Sequence, residues 1–460
     1  MSGALSVLQT VFWGVIVLSL LVFVHEGGHY LAARAFRVRA TEFFLGLPCR
    51  FKLSRKSRKV GTEFGVTPLL LGGYTRICGM EGTSDKLLAP ALAIVMREGR
   101  VSAKAVADEL GIDIDRAYDL LATLCDWASI KPYFDPELGE DPNQKTYPAA
   151  FETLPRDPSL LTEYDRGHDL SLPGTTQAGC PRPLPMSPES FLEQERARTY
   201  QGVGFLRRVT MLVAGPLVNV VLAFLIVTFA LMARGVDYVS NESVVGEVTS
   251  GSIAQEAGVE VGDRIVAVEG QSVSTWDELV TEMSPFLEEG RDFSLTCERD
   301  DQSLVLEVEL SGEPTDLIGI YSSVFTYHPT FLEAARASVS YTGEVASYVA
   351  SLIQPQHTIE VLEQSSSVVG ISVMASEAAS SGFFDLAFVV AAISMSVGFM
   401  NLLPIPPFDG GKILIEVVQL VIRRPLSVRA QTVLSYIGLA FILFVFVFVL
   451  RNDIVRFVLG

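Results

Sequence analysis

Histidine and cysteine are scarce in this chain, and the few that occur exclude several kinds of site. The 460 residues hold five cysteines without a CxxC pair, so neither a disulfide framework nor a cysteine zinc site is indicated. No Lys or Arg precedes Arg34 and no small-residue cleavage site follows, so we expect no removable signal peptide. Two of the five histidines, His25 and His29, lie only four residues apart.

The five residues His25 to His29, with sequence HEGGH, follow a nearly unbroken apolar run from Val11 to Val24. On a helix, residues four apart share a face, so both imidazoles can reach one metal ion while Glu26 acts as general base on a water. The string also occurs by chance in unrelated proteins. Ionisable residues are costly in a membrane span, however, so their presence here favours a functional site. His168, His328 and His357 lie in polar or irregular segments and are assigned no role.

The composition predicts a polytopic α-helical membrane protein with soluble parts. Hydrophobic residues make up 49% of the chain, and its length suggests two or three units. A span needs about 20 apolar residues. We predict four transmembrane helices, at about Leu5–Ala33, Val209–Ala233, Phe383–Leu403 and Val433–Leu450.

The distribution of charge predicts the orientation. Basic residues follow the first span, precede the second and lie between the third and fourth, whereas 20 acidic residues and only three arginines occur from Asp237 to Asp316. By the positive-inside rule, both termini and the 237–382 segment are expected to be extracytoplasmic and the 34–208 segment cytoplasmic. The net charge of −18 argues against nucleic-acid binding.

Two histidines and a water leave a zinc ion one ligand short of its usual tetrahedron. The third apolar span runs into the sequence NLLPIPPFDGG, in which three prolines break the helix before Asp409. Asp409 is either the missing ligand or the N-cap of a helix over Gly410–Val421. The incomplete ligand set at His25 and His29 favours the metal role.

Together, HEGGH and NLLPIPPFDGG resemble the site-2 protease family of intramembrane zinc metalloproteases. The nearest branch is the bacterial one that cleaves anti-sigma factors, the regulator of sigma-E protease type. The sequence AGPLVN from Ala214 to Asn219 is similar to a third family signature. The resemblance implies Zn²⁺ held by His25, His29 and Asp409, with Glu26 as the catalytic acid and base. It also implies that Asn401 and Asn219 contribute to substrate binding.

In the segment from Glu42 to Gly73, the residues from Thr62 to Tyr74 are of β type with glycines between them. The stretch is too short and interrupted to span a membrane. The family resemblance implies a membrane-associated β-hairpin near the metal, with Gly72, Gly73 and Tyr74 at the substrate. Such an edge can pair with an unwound substrate segment by strand addition. A plain cytoplasmic hairpin is the alternative.

The acidic segment resembles a PDZ domain of the bacterial protease type, within 237–315. The resemblance rests on Val245–Leu310 and above all on Gly262-Asp263-Arg264-Ile265. It implies a groove for a peptide ligand, and a scaffold that binds no peptide is the alternative. The following segment, 316–382, is predicted to be an extracytoplasmic amphipathic helix and a connector.

Residues 81–199 are predicted to be a cytoplasmic helical insertion into a compact family core. Within it, 87–133 resembles a helix-turn-helix, in its plain or its winged form, with Ser102 capping one helix and Gly111 ending it. Seven acidic and five basic residues offer no basic patch for phosphates, so we expect a cytoplasmic protein partner and no nucleic acid. Asp135–Pro188 is predicted to be a proline-rich, partly disordered linker.

The remaining predicted regions are 1–80 with the first span and HEGGH, 200–236 with the second span, and 383–460 with the last two spans and NLLPIPPFDGG.

We predict an intramembrane zinc endopeptidase of the bacterial inner membrane that cleaves the transmembrane segments of single-pass membrane proteins. The alternative is a membrane-anchored PDZ adaptor with a vestigial metal site. The presence of all three ligands and Glu26 favours the enzyme.

Overall fold

The computed structural model describes residues 2–70, 72–80, 85–142, 144, 146–354, 356–424, 426 and 428–455. Leu71, residues 81–84 at the start of the predicted insertion, and the terminal residues 456–460 lie outside the described residues. The chain divides into two compact units. One is formed by Met1–Val227 and Ser338–Gly460, and the other by Thr228–Ala337.

The first unit begins with one long apolar helix, α1, which covers Ser2–Ala35. It ends just before Arg37, whose φ of 63° is the left-handed conformation that commonly closes a helix. Leu8 and Phe12 on its surface are 65% and 55% exposed, as expected of a helix that faces lipid. His25 and His29 therefore have the helical spacing that the sequence predicted.

A four-stranded sheet follows α1, where a hairpin was predicted. Its order is β2-β3-β1-β4, with bounds β1 Ala40–Leu45, β2 Leu53–Lys56, β3 Glu63–Val66 and β4 Gly73–Ile77. The consecutive strands β2 and β3 pair antiparallel as a hairpin. Strand β1 extends it by pairing in parallel with β3 and antiparallel with β4, so the predicted hairpin is part of a larger sheet. The full extent of the sheet was not predicted, because the sequence of β2, Leu-Ser-Arg-Lys, lacks the apolar alternation that reveals a strand.

The insertion forms a small helical fold with a three-stranded sheet in the order β5-β7-β6. Its elements are α2 Leu88–Glu98, β5 Arg100–Ser102, α3 Ala103–Leu110, α4 Ile114–Asp126, β6 Ile130–Tyr133, β7 Ala150–Thr153 and α5 Pro188–Arg196. Ser102 accepts a hydrogen bond from the Ala105 amide, and Gly111 ends α3 in a left-handed conformation, which confirms both predicted ends. A shared apolar core is built around Leu92, Leu121 and Phe151.

The predicted linker over Asp135–Pro188 is instead largely ordered and partly buried, so that prediction is wrong. It contains β7, and Arg156 and Asp165 within it are 0% and 4% exposed. Arg156 donates to both carboxylate oxygens of Glu195 and to the carbonyls of Leu160 and Ser129. Buried ion pairs leave no periodic pattern in a sequence, which explains why polar composition suggested disorder.

Arg39, between α1 and β1, anchors the insertion to the end of α1. Its guanidinium group donates to both carboxylate oxygens of Asp165, at 2.7 and 2.8 Å, and to Glu195 at 2.8 Å. Burial alone would raise the pKa of both acids. The charges of Arg39 and Arg198 outweigh it at Asp165, and those of Arg156 and Arg39 outweigh it at Glu195, so that both pKa values lie below the usual range. The insertion is thus fixed to the catalytic helix by charge.

Helix α6, Phe205–Arg234, leads out of the insertion and contains Pro216. The second unit then folds around an apolar core that includes Ile265, Leu279 and Leu295. Its elements are β8 Val236–Val239, β9 Val245–Val248, α7 Ile253–Glu256, β10 Arg264–Val268, β11 Gln271–Ser272, α8 Trp276–Glu289, β12 Phe293–Arg299, β13 Gln302–Val308, β14 Ile320–Ser322 and β15 Val324–Tyr327. The strands form a sheet in the order β11-β10-β12-β13 and two separate pairs, β14-β9 and β15-β8.

The last part of the chain is helical. Its elements are α9 Phe331–Ser351, α10 Thr358–Gln364, α11 Val368–Ser381, α12 Phe383–Asn401, α13 Asp409–Ile422 and α14 Val428–Ile454. Part of the predicted connector, α11, packs against α1 and α12 around Val17, Ala375 and Ile393. Asp453 on α14 accepts hydrogen bonds from the amides of Ser367 and Gly370 and so caps α11.

Within the described part of the chain, four helices are long and apolar enough to cross a membrane. They are Leu5–Ala35, Phe205–Arg234, Phe383–Asn401 and Ala430–Ile454. The four predicted spans are therefore confirmed to within a few residues at each end. The structure contains no bilayer, so their orientation stays a prediction.

Candidate active site

Three side chains from opposite ends of the chain meet at one point in the first unit. The Nε2 atoms of His25 and His29 lie 3.2 Å apart, and Asp409 Oδ2 lies 3.2 and 3.0 Å from them. All three residues are buried. The structure thus brings together the residues predicted as metal ligands.

This triangle has the dimensions of a zinc site. Ligand atoms at about 2.1 Å from a tetrahedral Zn²⁺ are about 3.3 Å from each other, close to the three observed distances. Two imidazole nitrogens and a carboxylate oxygen are also a donor set that zinc prefers. Three protein ligands leave the fourth position to water or substrate, as catalytic sites require. The residues fit the metal.

The position of Asp409 depends on the broken chain between α12 and α13. Gly410 and Gly411 let this loop pack closely, because a Cβ on either would collide with the backbone of Leu402 or of Pro406. Asp409 is the first residue of α13, whose N-cap is Phe408, and no side chain caps the helix. The alternative role of Asp409 as N-cap is therefore not what the structure shows.

Helix α6 orients the His29 imidazole through a backbone contact to its Nδ1 atom. His29 Nδ1 lies 2.7 Å from the carbonyl oxygen of Met211, so the Nδ1–H tautomer leaves the Nε2 lone pair for a metal. Gly215 makes this approach feasible, because a Cβ there would collide with the His29 imidazole. Sequence reasoning missed Met211, since a backbone carbonyl leaves no signature in residue type.

A cavity of about 320 Å³ opens beside the three ligands. Glu26, Tyr74 and Asn401 are among its lining residues. Among the described residues that line the cavity, Glu26 and Asp409 carry the two carboxylates. The cavity thus offers room for part of a peptide beside the candidate base.

The predicted substrate residues are only partly brought together. Tyr74 and Asn401 line the cavity, and Gly73 packs against the Glu26 side chain, whereas Gly72 packs against Leu47. Asn219 is completely buried, and its side-chain amide has no hydrogen-bond partner within the described residues. It does not line the cavity.

Strand β4 presents a free edge to the cavity. The Gly72 carbonyl accepts from the Gly46 amide, and the Cys78 amide donates to the Arg39 carbonyl. Because backbone groups alternate in an antiparallel pair, those of Gly73 and Thr75 face away from β1. Thr75 also donates from its hydroxyl to the Glu26 carbonyl, which fixes β4 to the catalytic helix.

Four polar residues in or beside the cavity carried no sequence signal for the site. Glu416 on α13 is buried, accepts a hydrogen bond from the Tyr200 hydroxyl at 3.2 Å and pairs with Arg208 at 3.3 Å. Lys412 lines the cavity and lies 3.4 Å from Asp409 Oδ1. These contacts join α13 to the start of α6.

Comparison with known proteins decides the family. The model for peptidase family M50 matches residues 13–445. The chain belongs to peptidase family M50. The predicted resemblance to site-2 proteases is thereby confirmed, and the protein is a zinc metalloprotease with Zn²⁺ as its cofactor and a multi-pass membrane protein.

Curated relatives from M50 support this assignment over nearly the whole chain. A putative zinc metalloprotease of Lactococcus lactis is 25% identical and covers 98% of this chain and 99% of its own length. The regulator of sigma-W protease RasP of Bacillus subtilis is 24% identical over 97% of this chain and 99% of its own. A putative zinc metalloprotease of Mesorhizobium japonicum is 31% identical over 61% of this chain and 80% of its own. The enzyme is therefore favoured over the vestigial adaptor.

Proposed function

We propose that this M50 protease cleaves transmembrane segments of single-pass membrane proteins inside the inner membrane of a bacterium. The observation that carries the proposal is the position of the ligand triangle at the end of α1, a helix long and apolar enough to span a bilayer. The Bacillus subtilis relative is named a regulator of sigma-W protease. By extension, anti-sigma factors and remnant signal peptides are the substrate classes that we favour.

In the proposed mechanism His25, His29 and Asp409 hold zinc. The bound metal would polarise the scissile carbonyl and lower the pKa of a water molecule. Glu26 takes the proton from that water and delivers it to the nitrogen of the leaving amine. His29 keeps its metal-binding tautomer through the Met211 carbonyl.

We propose that the substrate binds as an extra strand on β4. A peptide bond within a helix is protected by its own hydrogen bonds, so the substrate must unwind before hydrolysis. The free backbone groups of Gly73 and Thr75 can replace those hydrogen bonds by strand addition. Tyr74 and Asn401 then flank the extended segment in the cavity.

The second unit is proposed to be an extracytoplasmic PDZ domain that filters substrates. Both chain termini are proposed to be extracytoplasmic as well. Its acidic composition supports the extracytoplasmic location, and Gly262 at φ 96° and buried Ile265 support the PDZ motif.

The insertion is proposed to bind a cytoplasmic protein. Its candidate recognition helix α4 exposes Asp113, Asp115 and Asp119, which would repel phosphates.

The proposed mechanism is tested by Glu26→Gln. Gln keeps the shape but cannot accept a proton, so proteolysis of a single-pass substrate should fall on the order of 10²–10⁴-fold with zinc content unchanged. Glu109→Gln, on the exposed surface of the insertion, is the matched control and should cleave normally. Normal cleavage by purified Glu26→Gln protein would refute the role of Glu26.

A further inference from the structure

A strongly basic segment interrupts this acidic protein just after the first span. Residues 50–59 contain six of the 35 Lys and Arg residues, and no acidic residue occurs between Glu42 and Glu63. The net charge of the whole chain is −18. Such a local concentration of positive charge beside a transmembrane helix is typical of segments that meet anionic lipids.

The structure places this segment on and beside β2, an outer strand of the sheet. Lys52 pairs with Glu63 and Lys56 with Glu163. The other four cations are exposed and form no ion pair within the described part of the chain: Arg50, Arg55, Arg58 and Lys59. Their charges are therefore available to an external partner.

Apolar side chains are interleaved with these cations. Phe51 is 74% exposed and Leu53 is 82% exposed, and the neighbouring loops add Leu47 and Leu69 at 43% and 49%. Charges on an outer strand also prevent strands of different molecules from pairing. Protection against such pairing does not explain why large apolar side chains occupy the most exposed positions. Exposed cations together with exposed apolar side chains indicate a partner that is both apolar and anionic.

One hydrogen bond fixes the depth of this apolar end of the sheet. The hydroxyl of Ser19 donates to the carbonyl of Leu70 at 2.5 Å. Ser19 lies six residues before His25, or about 9 Å farther along α1, within its span-length apolar stretch. Leu70, next to the exposed Leu69, therefore lies at the depth of the apolar stretch of α1.

Resting on the membrane association that the family resemblance implies for this sheet, we propose that Arg50, Arg55 and Arg58 bind the phosphates of anionic phospholipids in the leaflet at the histidine end of α1, with Phe51 and Leu53 among the acyl chains. Long basic side chains can extend along apolar surface to the headgroups, and guanidinium groups bind phosphate through two hydrogen bonds. The lipid contact would hold the sheet, and with it β4, at the depth of the active site.

Lipid retention tests the charged part of the proposal without relying on proteolysis. Full-length protein is incubated with phosphatidylglycerol or phosphatidylcholine in detergent, and bound lipid is counted by native mass spectrometry. Each cation near an anionic surface contributes about fivefold to binding. The variant Arg50→Gln/Arg55→Gln/Arg58→Gln should therefore retain phosphatidylglycerol at least about tenfold more weakly than wild type, with phosphatidylcholine unchanged.

A matched variant controls for net charge. Lys104→Gln/Arg166→Gln/Arg196→Gln removes three exposed cations from the insertion and should retain phosphatidylglycerol like wild type. Equal retention by wild type and the Arg50/Arg55/Arg58 variant would overturn the proposal. An equal loss in both triple variants would overturn it as well, because the effect would then follow net charge alone.

Fluorescence tests the apolar part. In vesicles of phosphatidylcholine and phosphatidylglycerol, the additional emission of a Phe51→Trp variant over wild type should be quenched by brominated phospholipid and protected from iodide. Emission that iodide quenches and brominated lipid does not would place residue 51 in water and overturn insertion. Zinc content of the variant shows that the protein used is intact.

Discussion

At the residue scale, the two neighbouring glycines of HEGGH have opposite surroundings. A Cβ on Gly28 would collide with the carbonyl of Ala214, whereas a Cβ on Gly27 would meet nothing within 4 Å. Gly28 thus permits the contact between α1 and α6 that brings the Met211 carbonyl to His29. Gly27 has no such packing role, although both glycines belong to the same motif.

We therefore expect Gly28→Ala to lower the cleavage rate on the order of 10²-fold, because a displacement of about 1 Å at a catalytic site costs this much. Gly27→Ala should fold normally and keep its zinc, since Ala favours a helix more than Gly does. Cleavage rates and zinc content of both purified variants check the prediction. Equal effects of the two substitutions would show that contact with α6 does not decide the requirement.

Two aspartates allow the proposed ligand role to be separated from capping. Asp409→Ala should lose zinc and activity, because a metal ligand is removed. Asp453→Ala removes the carboxylate that caps α11 and should cost about 1 kcal/mol of stability with zinc retained. Metal analysis and thermal unfolding of both variants distinguish the roles. Full zinc occupancy in Asp409→Ala would place the third ligand elsewhere.

Residue types revealed the proposed ligands but not the residues that support them. His25, His29, Glu26 and Asp409 stand in motifs because metal and proton chemistry restrict the side chains that serve. The Met211 carbonyl is available from any residue type, and the contact between Tyr200 and Glu416 joins positions 216 residues apart. Supporting contacts of this kind can be identified only from the packed structure, because they join residues that are distant in the sequence.

At the scale of elements, the buried charges around Arg39 join α1 to the insertion. Arg39→Met would leave Asp165 and Glu195 buried with too little positive charge, and breaking a buried pair in this way costs about 3–5 kcal/mol. We expect a lower melting temperature and new cleavage sites for an added protease within 146–188. Arg97→Met, which breaks the exposed pair with Glu109, should change neither. Unchanged melting of the Arg39 variant would contradict the anchoring role.

Elements with a regular pattern were predicted well, and those held by specific polar contacts were not. The apolar runs located all four span-length helices, and Ser102 and Gly111 marked the ends of α3. The ordered segment 146–188 was mistaken for a linker, because buried ion pairs with distant residues replace the local apolar repeat on which sequence reasoning depends.

At the scale of the whole molecule, most of the second unit can be removed at the point where the paired strands β8 and β15 enter and leave it. Val239 pairs with Val324, and the Ser240 amide donates to the Ser323 carbonyl. Replacing residues 241–322 by Asn-Gly would therefore close β8 and β15 into a two-residue hairpin on the hydrogen-bonded pair of Ser240 and Ser323. Because all the proposed ligands lie in the first unit, we expect zinc content and cleavage of trimmed substrates to persist.

The shortened protein should also cleave substrates whose outside portions have not been trimmed, if the second unit acts as a filter. Cleavage of trimmed and untrimmed forms of one substrate, measured side by side, checks this outcome. Complete loss of activity in a folded, zinc-loaded protein would show that the second unit takes part in catalysis.

The two halves of the site are also separated in time. His29 and Asp409 are 380 residues apart, so at about 5–20 residues per second a ribosome needs about 20–80 s to pass from one to the other. During that interval the nascent chain carries the base and two of the proposed ligands without the third. An unfinished or prematurely terminated chain therefore lacks the complete ligand set, and we expect it not to cleave its neighbours in the membrane.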